Sequence, residues 1–236
     1  ITNPIENMTK SNIWILTEER PKKEVLEKIF IRYSKEKGIA CFIDNIRIIP
    51  MLQDGKFSFA YKVTGFNTPK IESAYIKIVS GKSSFVDYII FDTVNEPKTS
   101  DIPVFVIEET KTDDSESRNT GVYQRATKFT YVDYFYPATK KIMLYNLQGE
   151  QKAFATETNI FGTRCFLTLG VEIMGKKLES SMLPWTNVDE LIAYKSSMKR
   201  PPSGNVPIDI TKTIDEIKIS GRLVKSNRLG YDPNIG

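Results

Sequence analysis

The sequence predicts an α/β fold, a central mixed β-sheet flanked by helices, on three observations. A strong amphipathic helical stripe precedes a series of strand-like runs. A second helical pattern then separates two of the most apolar strands. Finally, 236 residues, 40% of them hydrophobic and 26% charged, suffice to bury a sizeable core in one large domain.

Taken in order, "TEERPKKEVLEKIFIRYSKEKG" (Thr17 to Gly38) reads as a helix. Val25, Leu26, Ile29, Phe30 and Tyr33 form its apolar stripe, and Gly38 is its stop. The runs "ACFIDNIRIIPML", "FSFAYKVTGF" and "SAYIKIV" follow as strands, with turns at Asp54-Gly55 and Asn67-Thr68-Pro69. Two further strands, "FVDYIIFD" (Phe85 to Asp92) and "VFVIEETKT" (Val104 to Thr112), flank the polar loop "TVNEPKTSDIP". "SRNTGVYQRATKFTYVDYF" reads as a helix with Val122, Ala126, Phe129 and Val132 on one side, and "KKIMLYN" as a buried strand. "ETNIFGTRCFLTLGVEIM" is expected to be helical in part, despite Gly162 and Gly170. "TNVDELIAYKSSM" is a short helix capped by Thr186 or Asn187. "KRPPSG" marks a break, with a possible domain boundary near residues 200–204, and "VPIDIT" and "EIKIS" read as short strands.

The composition narrows the chemistry. Lysine and arginine number 33 against 29 acidic residues, a net charge of +4, compatible with a polyanionic partner but no proof of one. Histidine is absent, which excludes Ser-His-Asp and Cys-His catalysis and histidine-ligated zinc. Acid-base or metal chemistry must come from carboxylates, lysine, tyrosine or the two cysteines. Cys41 and Cys165 lie far apart in apolar surroundings and read as reduced core thiols of an intracellular, cytoplasmic protein. No apolar run approaches the length needed to span a bilayer, so no membrane partner is expected. The chain opens on Ile1 and closes on "NRLGYDPNIG", and we expect it to be an excerpt of a longer protein.

The apolar run from Val104 ends in Glu108-Glu109-Thr110-Lys111 where a turn would be ordinary. Strand alternation places Phe105, Ile107, Glu109 and Lys111 on one face and Val106 and Glu108 on the other. If the two flanking strands form a hairpin with Phe91 opposite Phe105, Asp87 falls opposite Glu109 on the same face. Adjacent carboxylates repel by on the order of a few kcal/mol, and a hard divalent cation between them relieves this. Two carboxylates with room for water and a substrate phosphate describe a magnesium site. Lys111, two residues on, could orient an attacking water and stabilise charge on the phosphate.

Asp87 followed by Glu109-Thr110-Lys111 resembles the Asp…(Asp/Glu)-x-Lys motif of the PD-(D/E)xK nuclease superfamily. The order strand, E-x-K strand, helix, strand over about residues 83–146 resembles its restriction-endonuclease-like core. Phe85-Val86 stand where the family often has a proline, which leaves Asp92 as an alternative first carboxylate. Within the superfamily the chain looks most like a type II restriction endonuclease. The resemblance implies Mg2+ held by Asp87 and Glu109, with Lys111 as the third catalytic residue. It also implies sequence-specific hydrolysis of double-stranded DNA and a homodimer matched to a palindromic site. Gln124, on the following helix, is the polar residue expected near the site. Glu24 or Glu27 could add a carboxylate, and Glu108 reads as an ion-paired or solvated neighbour. Candidate DNA contacts are Arg118, Asn119, Gln124 and Arg125 after the motif, and Lys199, Arg200, Arg222, Lys225 and Arg228 near the end. Residues 1–80 and the last 90 carry no further recognisable motif. A repair or junction-resolving nuclease of the same superfamily and a catalytically silent DNA-binding module remain as alternatives, the latter with an incidental E-x-K.

Overall fold

The computed structural model of the protein describes residues 10–79, 86–111, 121–147, 155 and 157–197. The chain divides into two compact units, residues 1–187 and 188–236. In the second unit the helix α4, Val188–Ser197, is described. The proposed boundary near 200–204, the two short strands beyond it and Lys199, Arg200, Arg222, Lys225 and Arg228 lie outside the described residues, as do Arg118 and Asn119.

The first unit is the expected α/β arrangement. Its strands are β1 (Ser11–Thr17), β2 (Phe42–Gln53), β3 (Lys56–Asn67), β4 (Ile71–Ile78), β5 (Tyr88–Thr93), β6 (Phe105–Thr110), β7 (Lys140–Tyr145) and β8 (Val171–Met174). They form one mixed sheet in the order β2-β3-β4-β1-β5-β6-β7-β8. β3 and β5 run antiparallel to their neighbours, while β1 is parallel to β4, and β6, β7 and β8 are mutually parallel. The β2–β3 turn is made by Asp54 and Gly55, both at positive φ (52° and 73°), the conformation that two-residue hairpins favour.

Helix α1 (Lys23–Lys37) buries Val25, Leu26, Ile29, Phe30 and Tyr33 on one sheet face, against Ile13, Ile15, Ile90, Phe105 and Ile107. It ends at Gly38, whose N–H reaches the Ser34 and Lys35 carbonyls. Helices α2 (Gly121–Phe135) and α3 (Glu157–Thr168) cover the opposite face. There Val132 meets Ile89, Phe91 and Val106, and Phe129 and Phe166 meet Met143 and Tyr145. The stretch "ETNIFGTRCFLTLGVEIM" thus divides into helix α3 and strand β8.

Three expectations are corrected. Thr17 does not open the first helix: it ends β1, a central strand that the sequence reading omitted, and α1 starts only after Pro21. The hairpin register is one residue off the expected one, because Tyr88 pairs with Ile107, Ile89 with Val106 and Ile90 with Phe105. Asp87 therefore does not sit opposite Glu109. Tyr88 takes the same-face position, and Asp87 precedes the strand. The reason is that Tyr88, Ile89, Ile90 and Phe91 are all buried: a strand covered on both faces has no period-two pattern to fix its register.

Candidate active site at the carboxyl ends of β1 and β6

Asp87, Glu109 and Lys111 line one cleft of about 310 Å³, together with Thr17, Glu18, Glu19, Tyr88, Thr110 and Arg125. The cleft opens where β1 and β6 finish and β5 begins, outside the carboxyl ends of the parallel strands. Open α/β sheets commonly bind ligands there. Thr17 shapes one wall. Its hydroxyl donates to the Glu19 carbonyl at 2.9 Å and accepts from the Glu19 N–H at 3.4 Å, a local turn that ends β1 and leaves Glu18 and Glu19 exposed on the cleft.

Glu109 is firmly held. The Tyr88 hydroxyl donates to Glu109 Oε2 at 2.8 Å, and the Asn146 amide donates to Oε1 at 2.9 Å. Asn146 is itself fixed, because its N–H donates to the Thr110 carbonyl at 2.8 Å and Lys28 Nζ, from α1, donates to its side-chain oxygen at 2.8 Å. A cation on the amide oxygen turns the amide nitrogen toward Glu109. Each carboxylate oxygen has two lone pairs, so one hydrogen bond apiece leaves Glu109 capacity for a further ligand.

Asp87 reaches the same place by another route. Its Oδ2 accepts the Glu109 N–H at 2.7 Å, so the two carboxylates are linked through the backbone despite the shifted register. Burial pushes the Asp87 carboxyl above its ordinary range, and the Glu109 charge adds to this, while the Glu109 N–H, Lys128 and Arg125 oppose it. Glu108, on the α2 face, is only 4% exposed. It accepts from Lys128 Nζ at 2.6 Å, and its other oxygen is buried without a hydrogen-bond partner. Desolvation, with the Asp87 charge, pushes its pKa up to about 7 against the pull of Lys128 and Arg125. It is ion-paired, as one of the two expectations held, and buried rather than solvated.

The remaining candidates separate cleanly. Asp92 lies elsewhere, bound to Lys37 at 2.7 Å and to the Tyr33 hydroxyl at 2.9 Å. Burial raises its pKa, but these partners and Ser11 outweigh that and lower it. Gln124 is exposed on α2 and does not line the cleft; Arg125, next to it, does, and donates to the Thr110 hydroxyl at 3.2 Å. Glu24 and Glu27 do not line it either, and the additional carboxylates there are Glu18 and Glu19. Tyr88, Asn146, Lys28, Glu18 and Glu19 were missed from sequence. A signal existed for the last two: "IWILTEE" repeats the pattern of "FVIEETK", an apolar strand ending in paired glutamates.

Among the described residues no group of three or more acidic or cysteine side chains is gathered so as to hold a metal ion unaided. No helix among them is long and apolar enough to cross a membrane. Scans against protein-family models, curated proteins and solved structures found no match to this chain.

Proposed function

We propose that the protein is a magnesium-dependent endonuclease of the PD-(D/E)xK kind, hydrolysing phosphodiester bonds of double-stranded DNA at a defined sequence as a homodimer. One observation carries the reading: Asp87, just before β5, shares one cleft with Glu109 and Lys111, at the end of β6, although 22 residues separate the two carboxylates. Four carboxylates line it against two cations, Lys111 and Arg125, so it would repel a phosphate unless a cation entered first.

The donor set fits a hard cation. Asp87 and Glu109 offer only oxygen, and water and substrate would complete the coordination, as magnesium sites with one or two carboxylates usually do. When bound, the ion would neutralise phosphate charge and acidify water. The side chains do the rest. Tyr88 and Asn146 hold Glu109 in one orientation, and the Glu109 N–H holds Asp87. Lys111, exposed at the end of β6, orients the attacking water and offsets charge accumulating on the phosphate. Water oxygen bonds to phosphorus as the bond to the leaving sugar oxygen breaks, with no covalent enzyme intermediate.

The competing reading is a silent DNA-binding module. It is favoured by the absence, among the described residues, of a ready three-ligand cluster and by the two hydrogen bonds already made by Glu109. Incubating the parent and Lys111→Ala with long duplex DNA, with and without Mg2+, separates the two. Discrete fragments from the parent alone, and only with metal, are expected. A metal-dependent smear would indicate a repair or nonspecific nuclease, and salt-sensitive binding without cleavage would indicate the silent module.

A further inference from the structure

Beside the cleft lies a second, larger depression of about 560 Å³ whose lining is cationic: Arg20, Lys22, Lys23 and Arg47, with Glu24 the one carboxylate among them. Residues 20–23 lead from β1 into α1, whereas Arg47 comes from β2, so the cluster is assembled by the fold and not by one basic run. All four side chains are exposed, and none makes a hydrogen bond or ion pair within the described residues. Several other cations in the protein have acidic partners. Arg32 is paired with Glu36 and Glu172, Lys37 with Asp92, Lys77 with Glu96, and Lys141 with Asp133.

We propose that this depression holds the phosphate backbone of the DNA whose scissile bond enters the cleft. The two sites are contiguous in the chain, because Glu18 and Glu19 line the cleft and Arg20, the next residue, lines the depression. Their charges are opposite. The cleft carries excess carboxylate and is suited to a cation, while the depression carries excess positive charge and is suited to a polyanion. Duplex DNA bears about one charge per 1.7 Å of axis, so a segment crossing from one site to the other presents several phosphates to four cations that lack counter-ions. Phosphate contacts of this kind fix register without reading bases. They give the otherwise acid-lined cleft a means of keeping its substrate before any metal arrives.

The inference rests on the nuclease reading for the identity of the polyanion, and it is tested without chemistry. Anisotropy of a labelled DNA duplex in chelator, over a series of salt concentrations, is compared for the parent, Lys22→Ala/Lys23→Ala and Lys10→Ala/Lys98→Ala. The last pair removes the same charge at the opposite ends of the central strands, Lys10 preceding β1 and Lys98 following β5. Each phosphate contact contributes about 0.9 to the slope of log affinity against log salt. The Lys22/Lys23 variant is therefore expected to lose about two from the slope and at least tenfold in affinity, with the control pair close to the parent. Arg20→Ala/Arg47→Ala should repeat the loss. Equal slopes for the Lys22/Lys23 variant and the control pair overturn the proposal, even if the parent cleaves DNA. Absence of DNA binding by the parent overturns it as well. Loss of slope in the Lys22/Lys23 variant, with a parent that binds DNA but never cleaves it with Mg2+, sustains this site and sinks the nuclease reading alone.

Discussion

Glu109 and Glu108 are neighbours in sequence with opposite fates. Glu109 accepts from Tyr88 and Asn146 at the cleft. Removing the amide by Asn146→Ala should cost about 1 kcal/mol of stability, the usual net worth of a hydrogen bond. It should also raise the Mg2+ concentration for half-saturation several-fold, read by calorimetric titration, because the ligand is no longer held in one orientation. Glu108 lies buried with its pKa raised to about 7. Between its unfolded pKa near 4.5 and this folded value the native state binds the extra proton, so stability falls as pH rises through that window. Full ionisation would cost about 3 kcal/mol at 1.36 kcal/mol per unit. Glu108→Gln should accordingly melt higher than the parent at pH 8 in chelator, and the two should converge near pH 4.5. A constant difference across that range would contradict the assignment. Asp87, Glu109 and Lys111 were legible as residues because an apolar strand ending in E-x-K is a local pattern. Asn146 and Lys28 were not: their partnership joins residues 118 apart in sequence, and no local spacing encodes it.

Elements were legible where one face meets water. The stripe of α1 and the Asp54-Gly55 turn read correctly because each obeys a local rule. β1 escaped notice for the reason the β5–β6 register did: strands packed on both faces lose the alternation that distinguishes them. Gly162 illustrates a different limit. It weakens α3 by propensity, by about 1 kcal/mol relative to alanine, yet it persists because α2 approaches there. A Cβ at Gly162 would lie 2.6 Å from one Val122 methyl and 2.9 Å from the other. Val122 is β-branched, buried and stiff about χ1, so it yields little. Gly162→Ala should therefore destabilise the protein by about 1–3 kcal/mol instead of stabilising it, measured by urea denaturation. Gly162→Ala combined with Val122→Ala should recover part of the loss, a coupling that a purely helical effect would not show.

Across the whole molecule, the fold class emerged from the order of elements alone, whereas the placement of charge did not. The acid-lined cleft and the basic depression are built from segments distant in sequence, and a net charge of +4 conceals both. Divalent ions should couple to the first and not to the second. Mg2+ or Ca2+ is expected to raise the melting temperature of the parent, and Asp87→Asn to abolish most of that rise, while Lys22→Ala/Lys23→Ala leaves it intact.

β1 is the strand through which the two parts of the sheet meet: β2, β3 and β4 lie on one side of it and β5 to β8 on the other. Both its partners are distant in sequence, with Ser11 beside Ile71 on β4 and Thr17 beside Tyr88 on β5, so neither pairing forms without closing a long loop. Closing so long a loop is slow compared with forming a hairpin. Insertion of β1 is thus expected late in folding. Because β1 ends in the wall formed by Thr17, Glu18 and Glu19, the cleft is completed only when the two half-sheets join, and activity should return on refolding no sooner than the slowest structural phase.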